Sequence, residues 1–100
     1  TYILDKELGK LAIASRCSSP KTGIVMEVYT DQPGVQLYTG NWMSGNLRGK
    51  HDHRYPARAA LCLETQHYPD SPNKPEYPST RLNPGETFRS TTIFRFTLEA

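Results

Sequence analysis

Apolar positions in this chain recur every second residue and show no helical period anywhere. From Leu11 to Cys17 the residues alternate, with Leu11, Ile13, Ser15 and Cys17 on one side and Ala12, Ala14 and Arg16 on the other. Turn residues from Ser18 to Gly23 lead into Ile24 to Tyr29, where Ile24, Met26 and Val28 share a face, so the two runs predict a hairpin. Asp31-Gln32-Pro33-Gly34 reads as a type II turn, with Pro supplying a preset φ and Gly a positive one. Val35 to Thr39 is the next strand, Val35 and Leu37 facing one way and Gln36 and Tyr38 the other. Periodicity is then lost from Gly40 to Pro56, returns in Leu61 to Thr65, and is excluded through the proline-rich stretch from Pro69 to Pro84. After a Pro84-Gly85 turn the chain alternates to its end, with Phe88, Ser90, Thr92, Phe94, Phe96 and Leu98 on one face. With no helical stretch, repeat or linker, the pattern predicts an all-β, antiparallel fold, most simply a β-sandwich.

Composition adds limits. Hydrophobic residues make up 36% of the 100 residues; even with seven glycines this is modestly below the usual roughly 45–50%. A core is expected, but not one large enough to stand alone. Twelve Lys and Arg against ten Asp and Glu give a net charge of +2, and the closest basic grouping, Arg48, Lys50 and Arg54, makes no phosphate-tracking stripe. Nucleic acid is therefore not an expected partner. No apolar run reaches the roughly 18 residues of a membrane helix, so no membrane partner is expected either. Cys17 and Cys62 sit in strand-like surroundings and read as buried free thiols, which do not fix a compartment; the cytoplasm is the working expectation.

The candidate chemistry centres on Glu64. Its run, Leu61 to Thr65, is apolar and breaks abruptly into a polar loop, so a strand delivers one carboxylate to a loop edge, flanked by Leu61 and Leu63 that would desolvate it. Asp70 could pair with Glu64 for glycoside hydrolysis, which needs two acids at a set separation, or it could cap a turn among its proline and small polar neighbours. Gln36 could offer an amide to a ligand or simply face solvent. Tyr38, Trp42, Tyr55 and Tyr68 lie near loops and suit stacking on sugar rings. His51, Asp52, His53 and His67 lack the spacing of a metal motif, and a solvated loop is the simpler reading for the first three.

Three blocks then carry a resemblance. Glu27-Val28-Tyr29-Thr30 with Gln32-Pro33-Gly34-Val35-Gln36-Leu37-Tyr38-Thr39-Gly40-Asn41 resembles the EVYT…QPGVQ-x-YTGN signature of the aldose 1-epimerases, or galactose mutarotases. Cys62-Leu63-Glu64-Thr65-Gln66 followed by Pro69-Asp70-Ser71-Pro72-Asn73 is similar to that family's CLETQ-x-x-PD-x-x-N block. Leu82-Asn83-Pro84-Gly85-Glu86, through Thr87-Phe88-Arg89 to Ser90-Thr91-Thr92, resembles its closing L-x-PGE-x-[YF]-x-x-T-T.

The resemblance implies interconversion of the α and β anomers of free aldoses such as galactose and glucose. It gives Glu64 the role of general base on the C1 hydroxyl and Gln36 a contact to the sugar, with no cofactor and no metal. The family's general-acid histidine belongs to upstream motifs, which His51, His53 and His67 do not occupy. Residues 1–100 are accordingly expected to be the C-terminal segment of a single larger sandwich of the galactose mutarotase type, with its N-terminal portion as the missing partner. The competing expectation is a non-catalytic sugar-binding β-module.

Overall fold

A computed structural model describes residues 1–99. It contains six strands: β1 (Tyr2–Ile3), β2 (Ala12–Ser18), β3 (Ile24–Thr30), β4 (Gly34–Tyr38), β5 (Cys62–Gln66) and β6 (Thr92–Leu98). They form two three-stranded sheets in the orders β1-β4-β5 and β2-β3-β6, and every pairing is antiparallel. Among the described residues the only helical elements are single 3₁₀ turns at Lys50–Asp52 and Ser71–Asn73. The all-β class predicted from the two-residue period is what the chain adopts.

β2 and β3 form the expected hairpin, closed by the Gly23 N–H donating to the Ser19 carbonyl at 2.8 Å. Gly23 has φ +74°, a conformation that suits a residue without a Cβ. The alternation expected through β2 does not hold, because a β-bulge at Ala14 shifts the register between Ile13 and Ser15. Two residues then oppose one on β3, so Ser15 and Cys17 share a face with Ala12 rather than with Ile13.

Two further expectations are corrected. Gly34 is not the positive-φ corner of a type II turn; it is the first residue of β4, and residues 31–33 carry the chain from one sheet to the other. A Cβ there would lie 3.1 Å from the Tyr68 ring and 3.2 Å from the Tyr2 carbonyl, so close approach accounts for the glycine. The last strand begins at Thr92, not Phe88, because its partner β3 ends at Thr30. Beyond that point the Asp31 carboxylate accepts the Thr91 N–H at 3.0 Å and the Ser90 hydroxyl at 2.7 Å, replacing the ladder.

The sheets meet where the Val35/Thr65 rung of β4 and β5 faces the Thr30/Thr92 rung of β3 and β6. The Thr65 and Thr92 hydroxyls are 2.7 Å apart across this junction. Val25 and Val28 on the central strand β3, with Val35 on β4, are the buried apolar side chains. Tyr68 lies over Gly34 and stacks edge-on with Tyr77 at 5.3 Å, which pins the proline-rich segment.

The rest of the β3–β6 face is uncovered. Ile24, Phe94, Phe96 and Leu98 share it with Val28 and are 46%, 48%, 64% and 77% exposed. The radius of gyration is 16.7 Å, against about 13 Å for a compact domain of this size. An apolar strip of this kind marks a surface that associates. The 100-residue chain expressed alone is expected to run as an oligomer in size-exclusion chromatography at micromolar concentration. The double substitution Phe96→Lys, Leu98→Lys is expected to shift it toward the monomer; a monomeric parent chain would contradict this.

Candidate functional site

Glu64 and Gln36 are direct cross-strand partners in the β4–β5 ladder. Opposed residues on an antiparallel pair project from the same face with Cβ atoms roughly 4.5–5.5 Å apart, so a carboxylate and an amide stand side by side. They lie on the face opposite Val35, Leu37, Leu63 and Thr65, and therefore away from the other sheet. The register follows from the sequence: one residue of slip would turn Val35 out of the core and Gln36 into it.

The rung on one side of this pair is Tyr38/Cys62 and on the other Gly34/Gln66. Tyr38 is thus the one of the four candidate stacking aromatics that shares a rung series with Glu64 and Gln36. Trp42 is 89% exposed in the following loop, and Tyr68 is committed to Tyr77. Beyond Tyr38, an apolar pocket of 310 Å³ is lined by Tyr38, Gly40, Met43, Tyr55, Ala60 and Cys62. The loop that roofs it is held by its own hydrogen bonds, among them Arg58 N–H to the Gly40 carbonyl at 3.0 Å and Gly45 N–H to the Tyr55 carbonyl at 3.1 Å. Gly40 takes φ +69° there.

Glu64 is exposed, contrary to the expectation that Leu61 and Leu63 desolvate it. Leu63 points to the opposite face of the sheet, and Leu61, before the strand begins, is 48% exposed. The Gln36 Oε1 accepts a hydrogen bond from the Thr1 hydroxyl. Among the described residues the Glu64 carboxylate and the Gln36 Nε2 have no hydrogen-bond partner, and both are available to a ligand.

Asp70 is not brought together with Glu64 as a catalytic pair. It sits in the left-handed region at φ 65° as the residue before a 3₁₀ turn, accepting from Asn73 Nδ2 at 2.6 Å and lying 3.4 Å from Lys74 Nζ. Asp70 thus occupies the N-cap position, but its carboxylate bonds side chains of the turn and no backbone N–H. Its Ser71 neighbour is buried and donates to the Tyr68 carbonyl. The Asn83–Glu86 turn is closed in a similar way, with Gly85 at φ +84°. The Asn83 backbone N–H, joined by its side-chain amide, holds the Glu86 carboxyl below the usual glutamate value.

His51 and His53 are exposed in the Lys50–Asp52 turn region, and no group of three His, Cys, Asp or Glu side chains suited to a metal occurs among the described residues. His67 has a different setting. Its Nδ1 lies 2.7 Å from Gln32 Oε1, Gln32 Nε2 donates to Ser90 Oγ at 2.7 Å, and Gln32 itself is buried. These intersheet contacts have no signature in the linear pattern. A cavity of 800 Å³ lies on this side, lined by Gln32, Thr65, His67, Phe88 and Ser90 among others, and does not include Glu64 or Gln36. Chemistry, not volume, singles out the Gln36–Glu64 face. Both cysteines are free as expected, but neither is buried: Cys17 is half-buried and Cys62 exposed.

The β4–β5 face thus carries an acid and an amide on one rung and an aromatic on the next rung of the same face, a candidate polar-ligand site on an antiparallel scaffold. A sequence model of the aldose 1-epimerase family matches residues 2–95, and the chain belongs to that family. It is 46% identical over 93 residues to a galactose mutarotase of Mus musculus, which covers 93% of this chain and 27% of the relative. It is 48% identical over 84 residues to a galactose mutarotase of Homo sapiens, covering 84% of this chain and 25% of that one. With an aldose 1-epimerase of Escherichia coli it shares 37% identity over 90 residues, 87% of this chain and 25% of the relative. The chain thus spans about a quarter of the length of the curated relatives it matches.

Proposed function

We propose that this chain supplies the general base and a sugar-binding amide to an enzyme that interconverts the α and β anomers of free aldoses such as galactose and glucose. The observation that carries the reading is the Gln36–Glu64 rung: the two side chains that the family resemblance selects are direct cross-strand neighbours on one face, with free polar atoms. Family membership and the names of the relatives support the reaction class.

In this reading Glu64 removes the proton from the C1 hydroxyl. The O–H electron pair forms the C1 carbonyl as the C1–ring-oxygen bond breaks, and a general acid protonates the ring oxygen. Rotation about C1–C2 and the reverse of these steps yields the other anomer. No atom is gained or lost, so a positioned base and acid suffice. The acid comes from outside this chain. The chain acts as one segment of a larger sandwich, and its partner is the remaining N-terminal portion, which would also cover the Ile24–Phe94–Phe96–Leu98 strip. The cytoplasm is the proposed compartment.

Gln36 provides a test of the binding half. In the protein at the full length its gene encodes, Gln36→Ala is expected to raise KM about three- to tenfold, the worth of one neutral hydrogen bond, with kcat little changed. Polarimetry of freshly dissolved α-D-galactose measures both. An unchanged KM would remove Gln36 from the sugar site.

A further inference from the structure

No hydrogen bond or ion pair among the described residues holds the Glu64 carboxylate, so its position depends on the backbone of β5. Among the described residues that strand has a ladder partner on one side only, because the sheet order is β1-β4-β5. A strand paired along one edge is the least constrained place in a sheet. Yet a base must be held to within a fraction of an ångström of its proton.

The restraint comes from behind. Thr65, the residue after Glu64, points through the sheet and meets Thr92 of β6, hydroxyl to hydroxyl, at 2.7 Å. Thr92 in turn lies 3.2 Å from the hydroxyl of Thr30, which is fully buried and also accepts the Gln32 N–H at 3.0 Å. Just past the end of β5, His67 meets Gln32, and Gln32 is held by Ser90, whose hydroxyl donates to Asp31. Residues 65 and 67 therefore tie the end of β5 at two points, one on strand β6 and one on the connection between the sheets. Both anchors use side chains fixed by further hydrogen bonds, and part-buried polar links of this kind, once satisfied, hold a strand end in one place.

We infer that Thr65, through Thr92 and Thr30, is a positioning residue for the general base: the hydroxyl chain sets where the β5 backbone holds Glu64. This rests on the proposed role of Glu64. It predicts that the Thr65 hydroxyl matters to turnover and not to sugar binding, although it lies on the opposite face from the sugar.

The experiment compares Thr65→Val, Thr65→Ser, Glu64→Gln and the double variant Glu64→Gln, Thr65→Val, in the protein at the full length its gene encodes, by polarimetry. Val keeps the branched shape and loses the hydroxyl; Ser does the reverse. The expected result is a fall in kcat on the order of tenfold for Thr65→Val with KM within about twofold, and recovery in Thr65→Ser. Since Thr65 acts only through Glu64, Thr65→Val should cause no further loss on top of Glu64→Gln. A wild-type kcat in Thr65→Val beside an inactive Glu64→Gln overturns the positioning role and leaves the base intact. A loss that multiplies unchanged in the Glu64→Gln background assigns Thr65 to general stability and overturns it equally. A wild-type rate in Glu64→Gln removes the base itself, and the inference with it. If Thr65→Val does not accumulate, Thr92→Val against Thr92→Ser reads the same quantity from the other end of the bond.

Discussion

Replacing Glu64 by Gln is expected to lower kcat for anomer interconversion by about 10²–10⁴-fold, the usual worth of a positioned general base. The change removes one titratable oxygen and keeps the size, the planarity and a hydrogen-bonding group. The carboxylate is exposed and has no partner among the described residues, so its loss leaves no buried charge unpaired and should not disturb the fold. The neighbouring Gln36, bonded to Thr1, stays where it is. Sugar affinity measured by calorimetry should therefore remain within a few-fold of the parent while kcat falls by that factor. If instead the variant turns over at the parent rate, Glu64 is not the base, and the alternative of a non-catalytic sugar-binding module gains directly. That alternative predicts saturable sugar binding by the parent protein with no interconversion at all.

The second large effect concerns the chain as a unit. Alone, these 100 residues are expected to leave the spontaneous mutarotation rate of galactose essentially unchanged. A base without its acid loses far more than half of the catalytic effect, because the two proton transfers belong to one transition state. The chain corresponds to 27% of its Mus musculus relative. Mixing it with the part of that relative outside the matched 93 residues should restore measurable rate and at the same time suppress self-association. Both outcomes have one cause, since the added part would cover Phe94, Phe96 and Leu98 while bringing the acid to the Gln36–Glu64 face. Full activity of the isolated chain would refute the division of the site, and oligomers that persist in an active mixture would refute the shared cause.

Much of this was legible before any coordinates. Strand positions came from alternation, and the faces of Val35, Gln36, Leu37 and Tyr38 came with them, because a two-residue period assigns each side chain a side. Where the reading failed, the reason was a neighbour that the local pattern could not show. The bulge at Ala14 is an event in the β2–β3 ladder, not a property of either strand. Gly34 was read as a turn residue from its company with Pro33, whereas its backbone is strand and its lack of a Cβ makes room for Tyr68, 34 residues away in sequence. Phe88 to Thr91 alternates like a strand but has no strand beside it, and Asp31 satisfies its end instead. Leu61 and Leu63 looked like a desolvating pair around Glu64, but one points to the far face and the other is exposed before the strand starts.

By itself, then, the sequence determined the class, most of the strands, the sidedness of β3, β4 and β6 and, through its motifs, the family and the two residues of the proposed site. Those properties depend on local periodicity and on residue identity, both of which are written along one dimension. Tertiary structure alone decided that Glu64 and Gln36 are opposite one another and that three threonines from three different strands meet behind the base. Each of these depends on ladder register and on how two sheets stack. Such pairings join residues 27 to 62 positions apart, and no local propensity encodes them.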